Sequence, residues 1–159
     1  VSFLDDVVGL HYRHPDHYVV GREKIREYAV AVKNEDAAFF DEQAAAELGH
    51  QTLPAPLTFI SVFGYQAQTA MFASAGIGLN DAKIVQVDQV LKFHMPIKAG
   101  DKLYVDVHID SVRKAHGTDI IVMKNIVTND NGDVVQESYT TLAGRSEEDG
   151  ESGFSNGTA

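Results

Sequence analysis

The sequence has no cysteine, no tryptophan, four prolines and few basic residues. Without cysteine there can be neither a disulfide framework nor a thiolate metal site. That fits a reducing compartment, and a cytoplasmic location is expected. Lys and Arg number 13 against 23 Asp and Glu, giving a net charge of −10. An acidic body argues against nucleic acid as a partner, because phosphate contacts need clustered Lys or Arg. Any anionic ligand would need a local basic patch or one lent by a partner subunit. Residues 1–20 lack the basic start and apolar run of a signal peptide. From Gly49 to Asn80 the only ionisable group beyond tyrosine is the imidazole of His50. Pro54, Pro56, Gln66, Gln68 and Thr69 interrupt that stretch, so no membrane span is expected.

Two local absences bear on chemistry. No histidine lies between His17 and His50, and no carboxylate lies from Leu57 to Ala75.

What is present suits one domain with a real core: 159 residues, 44% hydrophobic and 23% charged. Residues 22–32 read as a short helix, with Ile25, Tyr28, Ala29 and Val32 near 3.6-residue spacing. Residues 41–48 read as a second, capped by Asp41 and ended by Gly49. After Pro56, residues 57–75 are apolar almost all round, which predicts a long buried helix. The period then changes. Residues 84–95, 102–112, 118–129 and 134–144 are rich in Val, Ile, Thr and Tyr, and turn signals separate them. Short connections make antiparallel neighbours. The order predicts an α+β domain over 1–145, one antiparallel sheet wrapped around the helix of about 57–75. Such a sheet keeps an open edge, so association in twos is expected. Residues 146–159 are small, acidic and Gly/Ser-rich, and predict a disordered tail.

Several runs carry a resemblance: HYRHPDHYVVGREKIREYAVAV (11–32), AAAELG (44–49), APLTF (55–59), IVQVDQVLKFHMPIKAGDKLYVDVHIDSV (84–112), AHGTDIIVMKNIVTNDNGD (115–133) and YTTLAGR (139–145). Together they resemble the HadA subunits of mycobacterial-type (3R)-hydroxyacyl-ACP dehydratases, in the MaoC-like group. The resemblance implies a hot-dog fold. It implies a HadB-like hot-dog partner that supplies the catalytic residues, and a substrate held on acyl carrier protein in type II fatty-acid elongation of the mycolic-acid type. This subunit would then support the acyl chain, with no cofactor.

Dehydration needs a base for the proton alpha to the thioester and an acid for the leaving hydroxyl. Active members of the group carry both in a D-x-N-P-x-H motif. Here the matching window is Asn34–Phe39: Asn34 stands where the Asp would be and Phe39 where the His would be. Neither can move a proton, so no catalytic residue is expected in this chain. Asp36 and Asp41 read as cap and turn carboxylates.

The residues expected to bind substrate are Ser61, Tyr65, Gln86, Gln89 and Asn125. Ser61 is small and has no activating base nearby in sequence, so it suits a tunnel wall and not a nucleophile. Tyr65, Gln86 and Gln89 are polar in apolar surroundings, and burial of an amide demands a partner. They would line a channel or close a subunit seam, and Asn125 would reach the same pocket. His11, His14, Asp16 and His17 form H-x-x-H-P-D-H, but Pro15 breaks any regular face, so no metal site is expected. Arg22, Lys24, Arg26, Arg113 and Lys114 would suit a carrier phosphate, although solvated surface is the plainer reading. Two alternatives share these features: a homodimeric acyl-thioester-binding protein, and a hot-dog thioesterase. The absence of a carboxylate on the central helix counts against the second. A carrier of coenzyme A type also stays open.

Overall fold

The computed structural model describes residues 3–146 and 152–157. Its strands are β1 (His11–Arg13), β2 (Tyr18–Val19), β3 (Ile77–Leu79), β4 (Ile84–Phe93), β5 (Lys102–Ala115), β6 (Thr118–Thr128), β7 (Val134–Arg145) and β8 (Phe154–Asn156). The helices are α1 (Arg22–Ala31), α2 (Glu42–Glu47) and α3 (Gly64–Ser74).

Alternating apolar residues build the sheet. Leu103, Val105, Val107 and Ile109 on β5 are buried, as are Ile121, Met123 and Val127 on β6. Full burial of each such side chain is worth about 1.5–3 kcal/mol. The order is β1-β5-β6-β7-β4, all antiparallel, with β2 also on β5; β3 and β8 form a separate ribbon. Across this sheet lies α3, which buries Gly64, Ala67, Gln68, Met71 and Phe72, spaced as one helical face. The fold is therefore α+β, an antiparallel sheet around a central helix.

The helix is shorter and less enclosed than its composition predicts. Phe59–Val62 form a 3-10 turn, and Phe63 (φ −125°) separates it from α3. Gly64 sits hard on the sheet, where an added Cβ would meet Ile60 at 3.1 Å and the Asn125 amide at 3.4 Å. The opposite side of α3 is open, with Tyr65 53% exposed.

The first two helices follow the sequence. Ile25 and Ala29 anchor α1. Asp41 caps α2 by accepting from the Ala44 N–H at 2.9 Å, and Gly49 ends it at φ +88°.

The expected tail needs correction. Residues 154–156 are a strand, not disordered chain, with Leu79 opposite Phe154 and Ile77 opposite Asn156. Phe154 is 1% exposed, so the apolar contribution of this segment rests on one buried aromatic ring. Residues 147–151, 158 and 159 of the same expectation lie outside the described residues.

Strand β4 ends the sheet. Among the described residues nothing pairs its outer edge, and Val85, Val87, Val90 and Phe93 are all exposed.

Candidate functional site

Gln86 and Gln89 are three residues apart, which in a regular strand puts them on opposite faces. A bulge between Gln86 and Asp88 changes this. Gln86 then lies opposite Leu142 and Gln89 opposite Thr140, two residues that both point inward from β7. The extra residue, Val87, returns the second glutamine to the inner face.

These glutamines form one wall of a pocket of about 230 Å³ between α3 and the sheet. Ser61 and Tyr65 come from the opposite wall, and Asn125 from the sheet floor. All five residues expected to bind substrate thus line one pocket. Gln68, another polar residue of the apolar helix, also lines it, as do Ser138 and Thr140, which were not anticipated. Gln68 donates to Thr140 Oγ1 at 3.3 Å. The strand run around Ser138 and Thr140 carries small polar residues on both faces, so its alternation does not mark which side is inward.

The pocket is polar but uncharged: among the described residues no Asp, Glu, His, Lys or Arg lines it. Asn125 and Ser138 are each 1% exposed, and among the described residues Asn125 Oδ1 and Ser138 Oγ have no hydrogen-bond partner. Such atoms cost about 1–3 kcal/mol each when left unpaired.

The window Asn34–Phe39 lies elsewhere. Asp36 and Phe39 border a larger, mostly apolar cavity of about 370 Å³, together with His50, His94 and Gln136. The Asp36 carboxylate accepts from the Ala38 N–H at 2.9 Å, capping a 3-10 turn. His94 Nε2 is 2.8 Å from Glu137, whose other oxygen is 3.2 Å from Lys124. The hydrogen bond from His94, and then that from Lys124, holds the Glu137 carboxyl below its usual range. Glu137 serves this outer ladder and does not border either cavity.

The other constellations are drawn into surface pairs. His11 Nε2 reaches Asp106 at 2.7 Å and its ring stacks on His108 at 4.3 Å, while His14 contacts the Asp16 backbone. Arg22 pairs with Glu42 and Glu23, Arg26 with Glu23, and Lys24 with Glu27. Hydrogen bonds from Arg22 push both Glu23 and Glu42 below the usual carboxylate range. The α1 cations are thus matched within the chain. Arg113 and Lys114 lie exposed near the β5–β6 turn.

An antiparallel sheet around a helix, with this pocket at their junction, has the architecture of MaoC-like hot-dog dehydratases. A solved relative is the C-terminally truncated HadBC (3R-hydroxyacyl-ACP dehydratase) complex from Mycobacterium tuberculosis. It is 47% identical with a TM-score of 0.80, covering 87% of this chain and 98% of that chain. A structure named MaoC-like dehydratase is 38% identical with a TM-score of 0.83, covering 91% of this chain and 44% of that longer one. The family model for the FAS1-like dehydratase domain region matches residues 6–138, and the chain belongs to that family. Among sequence relatives, UPF0336 protein Rv0635 of Mycobacterium tuberculosis H37Rv is 70% identical over 154 residues, 97% of each chain. UPF0336 protein ML1910 of Mycobacterium leprae is 67% identical over the full length of both.

Proposed function

We propose that this chain is the acyl-chain-binding subunit of a two-subunit (3R)-hydroxyacyl thioester dehydratase. Its substrate rides on acyl carrier protein in type II fatty-acid elongation of the mycolic-acid type, and a HadB-like hot-dog partner supplies the Asp/His dyad. The observation that carries the reading is the composition of the small pocket. It offers amides and hydroxyls to a polar acyl head but no carboxylate or imidazole to move a proton.

The division of labour follows from the chemistry. Loss of water from a 3-hydroxyacyl thioester breaks the Cα–H and Cβ–O bonds and forms the trans-2 double bond. A base takes the proton, and an acid delivers one to the departing hydroxyl. This chain contributes binding: Asn125 and Gln89 orient oxygen atoms of the substrate, Ser61 leaves space beside them, and Tyr65 covers the open side. The amino end of α3 opens on the same pocket through Gly64 and Tyr65. The partner covers the open side of α3 and the free edge of β4, where exposed valines await burial. A thioesterase is disfavoured, because its water would need a base that this pocket lacks.

Site-directed variants of the purified pair test the reading. Asn125→Ala and Tyr65→Ala should each lower kcat/KM for a long trans-2-enoyl thioester about tenfold or more, about 1.4 kcal/mol of lost transition-state binding. Full activity in both folded variants would overturn it.

A further inference from the structure

The pocket continues along α3. Tyr65, Gln68 and Gln86 line it and also line a neighbouring cavity of about 200 Å³. The remaining walls of that second cavity include Phe72, Leu79, Ile84 and Leu142. Thr69 and Asp81 line it too. A groove therefore runs from an amide-lined head to an end whose walls are mainly apolar.

Residues 153–154 stand behind that end. Phe154 lies opposite Leu79 in the β3–β8 ribbon, and its ring centroid is 5.9 Å from that of Phe72. The same ring rests on Gly144, where a Cβ would come within 2.5 Å and 2.7 Å of two ring carbons. Any side chain at 144 would evict it. Gly153 packs as closely: its added Cβ would meet Ile84 Cγ1, Gly144 Cα and the Lys83 carbonyl, each at 2.9 Å. Three apolar walls, Phe72, Leu79 and Ile84, are thus each backed by this short segment.

Backbone hydrogen bonds hold the segment in place. The Gly153 N–H donates to the Arg145 carbonyl, the Asn80 N–H to the Gly153 carbonyl and the Gly157 N–H to the Gly76 carbonyl, all at 2.8 Å.

Resting on the acyl-binding reading above, we propose that β8 backs the end wall of the acyl groove and that Phe154, by holding Phe72 and Leu79 in place, limits the length of aliphatic chain it accepts. Gly144 is the seat that lets the ring occupy this place. Replacing the ring by a smaller side chain leaves space behind Phe72 and Leu79, because a core of this density collapses only partly around a deletion, and a longer chain lengthens the groove by pressing these walls into that space.

The test uses the pair of this chain with its motif-bearing partner, assayed on trans-2-enoyl thioesters of increasing length. Wild type is compared with Phe154→Ala and Phe154→Leu. The preferred chain should lengthen by roughly two to four carbons in Phe154→Ala and by less in Phe154→Leu, in step with the volume removed. A structural loss alone would lower all lengths together. The leucine variant keeps an apolar plug, so the comparison stands if the alanine variant folds poorly. An unchanged length profile in an active, folded variant overturns the end-wall proposal alone. A wild-type pair that hydrates no enoyl thioester of any length overturns the acyl-binding reading, and this proposal with it.

Discussion

Asn125 and Ser138 face each other in register across β6 and β7, buried to 1% exposure, and each holds a side-chain oxygen with no hydrogen-bond partner among the described residues. The pair sits on the floor of the small pocket, beneath the Gly64 turn of α3. A protein selected for stability alone would place apolar residues here. Ser138→Ala removes one unpaired group and should stabilise the chain by about 1 kcal/mol, raising Tm by about 2–4 °C. The same substitution should lower activity of the pair. Thermal melts and enoyl-thioester kinetics on one preparation check both signs.

The free edge of β4 gives a second expectation. Val85 and Val90 point to the outer face and are 60% and 44% exposed, beside unpaired backbone groups. The double variant Val85→Lys, Val90→Lys places charge on the edge, a natural guard against strand pairing. It should cease to co-purify with the partner and sediment as a monomer. Retention of the wild-type assembly would remove β4 from the interface.

Much of this was legible in the sequence, for definable reasons. The four long strands announced themselves by β-branched residues and Gly/Asp turns, and the α2 cap by Asp41 three residues before Ala44. Gln86, Gln89 and Asn125 were conspicuous because amides in Val/Ile-rich strands demand partners. Other features left no such mark. The bulge at Val87, which puts both glutamines on one face, depends on pairing with β7 and has no local signature. Strand β8 is three residues with one apolar side chain, and its Gly/Ser/acidic surroundings have the composition of disordered chain. The lone Phe154 was the available signal. Strand β1 is built of His, Tyr and Arg, and its identity comes from its register on β5.

Asp41 separates capping from catalysis. Its carboxylate satisfies the Ala44 N–H at the start of α2. Asp41→Ala should cost about 1 kcal/mol of stability, within the usual 0.5–2 kcal/mol for a lost cap. Turnover per folded pair should stay within about twofold, since a cap makes no contact with reacting atoms. Denaturant midpoints and active-site titration measure the two separately.

His108 sets a pH dependence. Burial lowers its pKa most, the stacked His11 and nearby Lys124 lower it further, and Asp106 acts in the opposite direction. The native state therefore holds this proton less tightly than the unfolded chain, whose imidazole titrates near the ordinary value of about 6.5. The contribution is fully present above that value and is lost as pH falls through the lower native pKa. Wild type should lose stability relative to His108→Gln as pH drops from about 7 toward 5. Parallel curves from urea unfolding would show that His108 is not responsible.

The central claim is that this chain binds the acyl thioester and borrows its acid and base. Hydration of a long trans-2-enoyl thioester, measured for the purified chain alone and for the same chain with its D-x-N-P-x-H partner, tests it most directly. Background rate from the single chain and robust turnover by the pair is the expected result. Comparable turnover by the single chain would contradict the claim and place a working acid and base among its own residues.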